Sequence, residues 1–339
     1  MGRWAGEPVG YYKRFGEILF YFHPAMSSSF SSTVHTNVFE YGKFEVRLQS
    51  IDIGICTRSC TLSLPPPKSL LVCFPVEAGE FPILLFLHGY LLYNSFYSQL
   101  IQHIASHGFI VIAPQLYNVA GSDATDEIKS AAAITYWLHS GLEEVVPSYV
   151  RPNLEKIALA GHSRGGKVAF ALALKEAFSE LKYAVLIGVD PVDGKDLGKQ
   201  TPPPVLTYVP RSFELGCPVM VIGSGLGEER KSPLLPPCAP KGVSHEEFFR
   251  ECKAPVWHFV VKDYGHADVL DDDTGGIRGM ASYCLCKNGK SREPMRTFVG
   301  GAVVAFMKAY MLGDDGDLKA VSGGQTGPVK LQTVEFLLE

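Results

Sequence analysis

A serine held between glycines, with a histidine and acids further along the chain, is the raw material for acyl-transfer chemistry. Gly161-His162-Ser163-Arg164-Gly165 supplies that serine. A short apolar run of strand length, Ile157 to Ala160, precedes it, and Val168, Ala169, Leu172 and Ala173 follow at helical spacing. Strand, G-x-S-x-G, helix is the order of a nucleophile elbow, whose tight turn lifts the serine hydroxyl out of the fold. Gly161 and Gly165 suit such a turn, because a Cβ would clash where the strand and helix backbones approach. The helix N-terminus beside Ser163 favours developing negative charge.

A serine hydroxyl is a poor nucleophile until a base takes its proton and a carboxylate orients that base. Behind a nucleophile elbow the acid follows the serine in the chain and the histidine comes last. Three histidines follow Ser163. His258 sits inside the apolar run Val256 to Val261 and reads as a packed sheet residue. His245 follows a plausible Ser244 cap and reads as a first-turn surface residue. His266, in Asp263-Tyr264-Gly265-His266 directly after that run, is the expected base. Asp190, at the carboxyl end of the run Ala184 to Val189, is the first choice for the acid. Asp193 and Glu228 are its rivals; the run from Pro218 ends in Gly223-Ser224-Gly225, where an acid is commoner in such hydrolases, without an Asp.

The oxyanion formed on attack needs two backbone N–H donors. Arg164, after the nucleophile, is one, and Tyr90, after His88-Gly89, is the other, with Leu91 the next choice. His88 reads as a structural loop residue. Leu91, Leu92 and Tyr93 are expected at the mouth of an apolar substrate pocket, while about half of the apolar residues from Tyr90 to Tyr97 turn inward as the core face of a helix.

These residues need a scaffold that gathers them at one edge. Period-two alternation from Val38 to Leu48 and a run at Leu70 to Phe74 indicate antiparallel strands. A fully apolar run at Phe81–Leu87 and largely apolar runs at Phe109–Ala113, 157–160, 184–189, 218–223 and 256–261 indicate buried strands. Helical spacing separates them at Ser95–His107, from Ser122 or Asp123 to about Ser140, after the elbow, and at Glu293–Leu312. This alternation predicts an α/β chain, the α/β-hydrolase fold, with a mostly parallel central sheet and helices on both faces. One catalytic domain is expected over 34–315, with 1–33 a disordered extension or targeting segment and 316–339 a C-terminal tail. The long connections 192–217 and 225–254 are expected across the top of the sheet.

Composition removes other classes. The 339 residues are 46% hydrophobic with a net charge of −4, so a core is assured and a nucleic-acid partner is not expected. No apolar run reaches 18 residues, so no transmembrane segment is expected. Nor is a cofactor or metal. Gly223-x-Gly225-x-Gly227 lacks dinucleotide-binding spacing, Asp271 to Gly276 is an acidic turn rather than a calcium loop, and no cysteine pair has zinc spacing. The eight cysteines are expected as reduced thiols, with Cys284 and Cys286 buried on a strand, which leans towards an intracellular protein.

Several stretches resemble plant chlorophyllases: LLFLHGYLLYNSFYSQLIQHIASHGFIVIAPQLYN (84–118), GHSRGGK (161–167), LIGVDPVDG (186–194), TPPPVLTYVP (201–210), VIGSGLGE (221–228) and KDYGHADVLDDDTGGIRG (262–279). The resemblance spans roughly 38 to 312. It implies hydrolysis of the phytyl ester of chlorophyll to chlorophyllide and phytol, with the triad on Ser163, Asp190 and His266. It further implies chlorophyll and related phytylated pigments as partners, a chloroplast location (the alternative being cytosol or other intracellular membranes), and peripheral membrane association. A general carboxylesterase or lipase, or a hydrolase-fold receptor without turnover, are the competing readings.

Overall fold

The computed structural model describes residues 37–53, 62–119, 121–174 and 182–339. The expected N-terminal extension, 1–33, lies outside them. Among the described residues, nine strands form one sheet: β1 (Val46–Ile51), β2 (Leu70–Pro75), β3 (Gly79–Leu87), β4 (Ile110–Pro114), β5 (Val150–His162), β6 (Val185–Val189), β7 (Val219–Ser224), β8 (Val256–Val261) and β9 (Leu331–Leu337). Their spatial order is β1-β2-β4-β3-β5-β6-β7-β8-β9. The six from β4 to β8 run parallel; β2 and β9 run antiparallel to them, and β1, at one edge, pairs antiparallel with β2.

The apolar runs behave as strand periodicity requires. Ile83, Leu85 and Leu87 of β3 feed the core on one face of the sheet, and Leu84 and Phe86 feed the core on the other. Helices α1 (Ser98–Ser106) and α6 (Glu293–Met307) pack on the Phe86 face; α2 (Thr125–Val145), α3 (Arg164–Leu174) and α4 (His245–Glu251) pack on the Leu85 face. Two shorter helices, α5 (Gly276–Leu285) and α7 (Gly316–Ser322), flank α6 in the chain. Consecutive strands switch from β4 on one side of β3 to β5 on the other, so the carboxyl ends of β3 and β5 open a crevice at the switch point.

Several boundaries differ from the sequence expectation. α2 runs on to Val145, because Gly141 makes room for the Trp137 indole and Leu142 and Val145 continue the apolar face. Residues 316–339 are not a tail: they form α7 and β9, and Trp257 of β8 stacks on Phe336 of β9 with centroids 4.5 Å apart. Only the short alternation Val334-Glu335-Phe336 hinted at a strand there. The cysteines are not all reduced, since Cys238 and Cys286 form a disulfide across 48 residues. Cys284 is exposed at the end of α5, not buried on a strand. Nothing local marks such a pairing, which depends on two distant loops meeting. α6 with the π turn behind it, Glu293–Leu312, is long and apolar enough to cross a membrane, but most of it is buried in the protein.

Candidate active site

The elbow is as tight as its glycines imply. A Cβ on Gly161 would lie 2.2 Å from the Gly165 carbonyl oxygen, and one on Gly165 would lie 2.2 Å from that of Leu87. Ser163 stands between them at φ 56, the left-handed region that non-glycine residues seldom occupy. The turn presents its Oγ to the loop that follows β8. There Nε2 of His266 lies 2.7 Å from Ser163 Oγ, and Nδ1 of the same ring lies 2.8 Å from Asp190 Oδ2. The structure thus brings the three first-choice residues into one hydrogen-bonded series, each less than a tenth exposed.

Asp190 follows β6 at φ 43. Burial alone would raise its pKa, but hydrogen bonds from His266 and Ser224 outweigh that effect and hold it at about 2. The carboxylate is therefore ionised at any working pH. Ser224, at the end of β7, gives Asp190 both its hydroxyl and its backbone N–H. Sequence reasoning found the missing acid at this strand end and overlooked the serine that replaces it. Gly227 allows the approach: a Cβ there would lie 3.2 Å from Asp190 Oδ2.

Neither rival acid meets His266. Asp193 is fully buried, with Lys167 Nζ 2.8 Å away and with the backbone N–H groups of Val205 and Leu206 donating to Oδ2. It fastens the 192–206 loop to α3. Glu228 is exposed, and His266 Nδ1 bonds Asp190 instead.

Arg164 is the first residue of α3, where backbone N–H groups lack helical acceptors. The opposing backbone is that of Gly89, where a side chain would come within 3.3 Å of Ser163 Cβ. Leu91 N–H donates to Tyr117 Oη at 3.1 Å. His88 is held between the Gly89 carbonyl and the Leu116 N–H, and burial depresses its pKa to about 4, as suits a neutral structural ring.

The side chain of Arg164 was not anticipated. It turns inward, donating twice to Glu127 at 2.7 Å and to the carbonyls of Gly121 and Asp123, with its guanidinium 5.0 Å from the Tyr90 ring centroid. One residue therefore ties the elbow to the start of α2 and to the loop after β3. The only sequence signal was a charged residue where an elbow tolerates almost anything. At the mouth, Leu91 and Tyr93 are exposed, Leu92 packs partly against the core, and Phe96 and Tyr97 are buried. His245 is also buried rather than on the surface. Its ring packs over Gly223 and its Nδ1 meets Nε2 of His258 at 2.9 Å.

A hydroxyl, an imidazole and an ionised carboxylate in series, beside a helix N-terminus, can generate an alkoxide and hold an acyl oxyanion. The sequence profile of the chlorophyllase family matches residues 34–338. Chlorophyllase-2 of Arabidopsis thaliana is 59% identical over 317 residues, covering 91% of this chain and all of that protein. Chlorophyllase-1 of the same plant is 42% identical over 90% of this chain and 94% of its own length. The protein named Chlorophyllase-1, chloroplastic, of Citrus unshiu is 44% identical over 81% of this chain and 82% of its own. On a family match that spans nine strands and every residue of the site, this chain belongs to the chlorophyllase family.

Proposed function

We propose that this protein hydrolyses the phytyl ester of chlorophyll to chlorophyllide and phytol through an acyl-enzyme on Ser163. His266 Nε2 takes the Ser163 proton as Oγ attacks the ester carbonyl, and Asp190 holds the ring in the Nδ1–H tautomer and stabilises its cation. The N–H groups of Arg164 and Tyr90 receive the oxyanion. His266 then returns the proton to the phytol oxygen as the carbon–oxygen bond breaks. Water, deprotonated by the same imidazole, releases the pigment as its carboxylic acid. No cofactor enters this cycle. The observation that carries the reading is the continuous Ser163–His266–Asp190 series in a chain of this family.

An apolar mouth supports a pigment substrate. Leu91 and Tyr93 stand exposed, and Arg278 of α5 lies over the Tyr93 ring at 4.5 Å while donating to the Asn118 carbonyl. That contact draws α5 to the rim, where Ile277 is 85% and Met280 65% exposed. Such a rim suits a substrate drawn from a lipid surface, and so peripheral membrane association. The Citrus relative's name supports a chloroplast location. The test is chlorophyllide release from purified chlorophyll a, run beside p-nitrophenyl butyrate. Pigment turnover is expected. Turnover of the small ester alone would move the assignment to a general carboxylesterase. Replacing Leu91 and Leu92 with Ser is expected to raise KM for chlorophyll, and an unchanged KM removes their role at the mouth.

A further inference from the structure

The residue inside the elbow, His162, does nothing in the cycle above, yet it is buried and makes two directed hydrogen bonds. Its Nε2 lies 2.9 Å from the backbone carbonyl oxygen of His266, and its Nδ1 lies 2.7 Å from Tyr97 Oη. A carbonyl can only accept, so the ring proton sits on Nε2. Nδ1 is then an acceptor and Tyr97 must donate its hydroxyl proton to it. The Tyr97 oxygen in turn accepts the N–H of Gly89 at 3.0 Å. The result is a one-way chain: Gly89 N–H to Tyr97 O–H to His162, and His162 N–H to the His266 carbonyl.

We infer that His162 and Tyr97 are positioning residues that lock the base-bearing loop and the oxyanion loop in one register about Ser163. The inference rests on the catalytic reading above. Its geometry is specific, because the chain begins one residue before the proposed oxyanion donor Tyr90 and ends on the backbone of the proposed base. The His162 and His266 rings lie 4.7 Å apart, and Tyr97 is fully buried against Phe86, so no link can slide without unpacking the core. Burial and the neighbouring His266 keep the His162 ring neutral down to a pKa of about 3, so the direction of the chain holds throughout the working range. The Gly89 peptide is fixed from its other side as well, by Tyr117 O–H donating to the Gly89 carbonyl at 3.2 Å. Misplacement of reacting groups by an ångström can cost about a hundredfold in rate, whereas ground-state binding of the substrate uses other contacts.

Tyr97→Phe keeps the ring and its packing while cutting the chain in the middle. Reactive sites are counted with a serine-directed fluorophosphonate, and p-nitrophenyl butyrate hydrolysis is expressed per labelled site. The expected result is a kcat lower by about tenfold with KM within about twofold. His162→Leu is expected to lose more, and His162→Gln, whose amide can both donate and accept, to recover part of the rate. Parent-like kcat per labelled site in Tyr97→Phe, whatever its thermal stability, overturns the inference. A second readout needs no variant: 15N spectra of the parent should give His162 as the Nε2–H tautomer, and an Nδ1–H tautomer overturns the chain. Ser163→Ala separates the two levels. If that variant retains turnover, the catalytic reading fails and this inference with it; if it is inactive while Tyr97→Phe is unimpaired, only the positioning role fails.

Discussion

Replacing Asp190 with Asn separates the proposed acid from its neighbours more sharply than any other single change. In the parent, Asp190 Oδ2 faces Nδ1 of His266 at 2.8 Å and also receives the Ser224 hydroxyl. The asparagine amide has the same size but only one oxygen. The Ser224 backbone N–H, which can only donate, keeps the amide oxygen at the Oδ1 position, so the amide N–H₂ takes the place of Oδ2 and faces His266. The ring must then offer Nδ1 as an acceptor and carry its proton on Nε2, where it can no longer take one from Ser163. The loss expected for a wrong tautomer is about 10⁴-fold in kcat, which corresponds to about 5.4 kcal/mol of transition-state stabilisation at 1.36 kcal/mol per tenfold. KM should barely change, since no contact with the resting substrate is removed. The assay is kcat and KM on p-nitrophenyl butyrate and chlorophyll a, with circular dichroism to verify folding. Glu228→Gln, run in parallel, should retain parent activity because Glu228 is exposed and does not meet His266. Activity within tenfold of the parent in folded Asp190→Asn, or a large loss in Glu228→Gln, would refute the assignment.

Lys167→Met strips the partner from buried Asp193 and should cost about 3–5 kcal/mol, read as a lower urea midpoint, with Lys167→Met/Asp193→Leu recovering part of it. Burial depresses the pKa of His88, His103 and His245 to about 4 and that of His162 to about 3, against 6.5 for an unfolded chain. The folded state holds these rings neutral while the unfolded state takes up protons. Stability should therefore be full above pH 6.5 and decline as pH falls towards 4, by up to about 1.4 kcal/mol per pH unit for each ring. A Tm that stays flat from pH 7 to pH 5 contradicts this. Gly161→Ala forces a Cβ into the Gly165 carbonyl and should destabilise by about 3 kcal/mol or more, visible as a lower Tm together with lost esterase activity.

What could be read from the sequence follows from how locally each feature is encoded. Ser163 was legible because the elbow is a turn of five residues whose glycines, strand and helix are contiguous. His266 and Asp190 were legible because each lies in the loop after a largely apolar strand, so chain order and strand ends narrowed the choice. The central strands were legible because sheet burial leaves their inner stretches largely apolar, with His258 of β8 the exception. What escaped depends on partners far along the chain. His245 looks like a surface residue until β7 supplies Gly223 beneath its ring and β8 supplies His258 beside it. Asp193 rivals Asp190 on position alone, and only Lys167, held by α3, assigns it to the loop. Ser224 was invisible because its partner lies on another strand, and the Cys238–Cys286 bridge because two loops must first be folded together. β9 was only partly in reach: Val334-Glu335-Phe336 alternates, but the run is short and its place at the end of the chain suggested a tail.

The central claim is that Ser163 forms the acyl bond through which the phytyl ester is hydrolysed. It is tested most directly by incubating chlorophyll a with the parent protein and with folded Ser163→Ala, and measuring chlorophyllide by chromatography. The parent is expected to release chlorophyllide steadily, and the variant none above the uncatalysed background. Release by Ser163→Ala at a rate near that of the parent would contradict it.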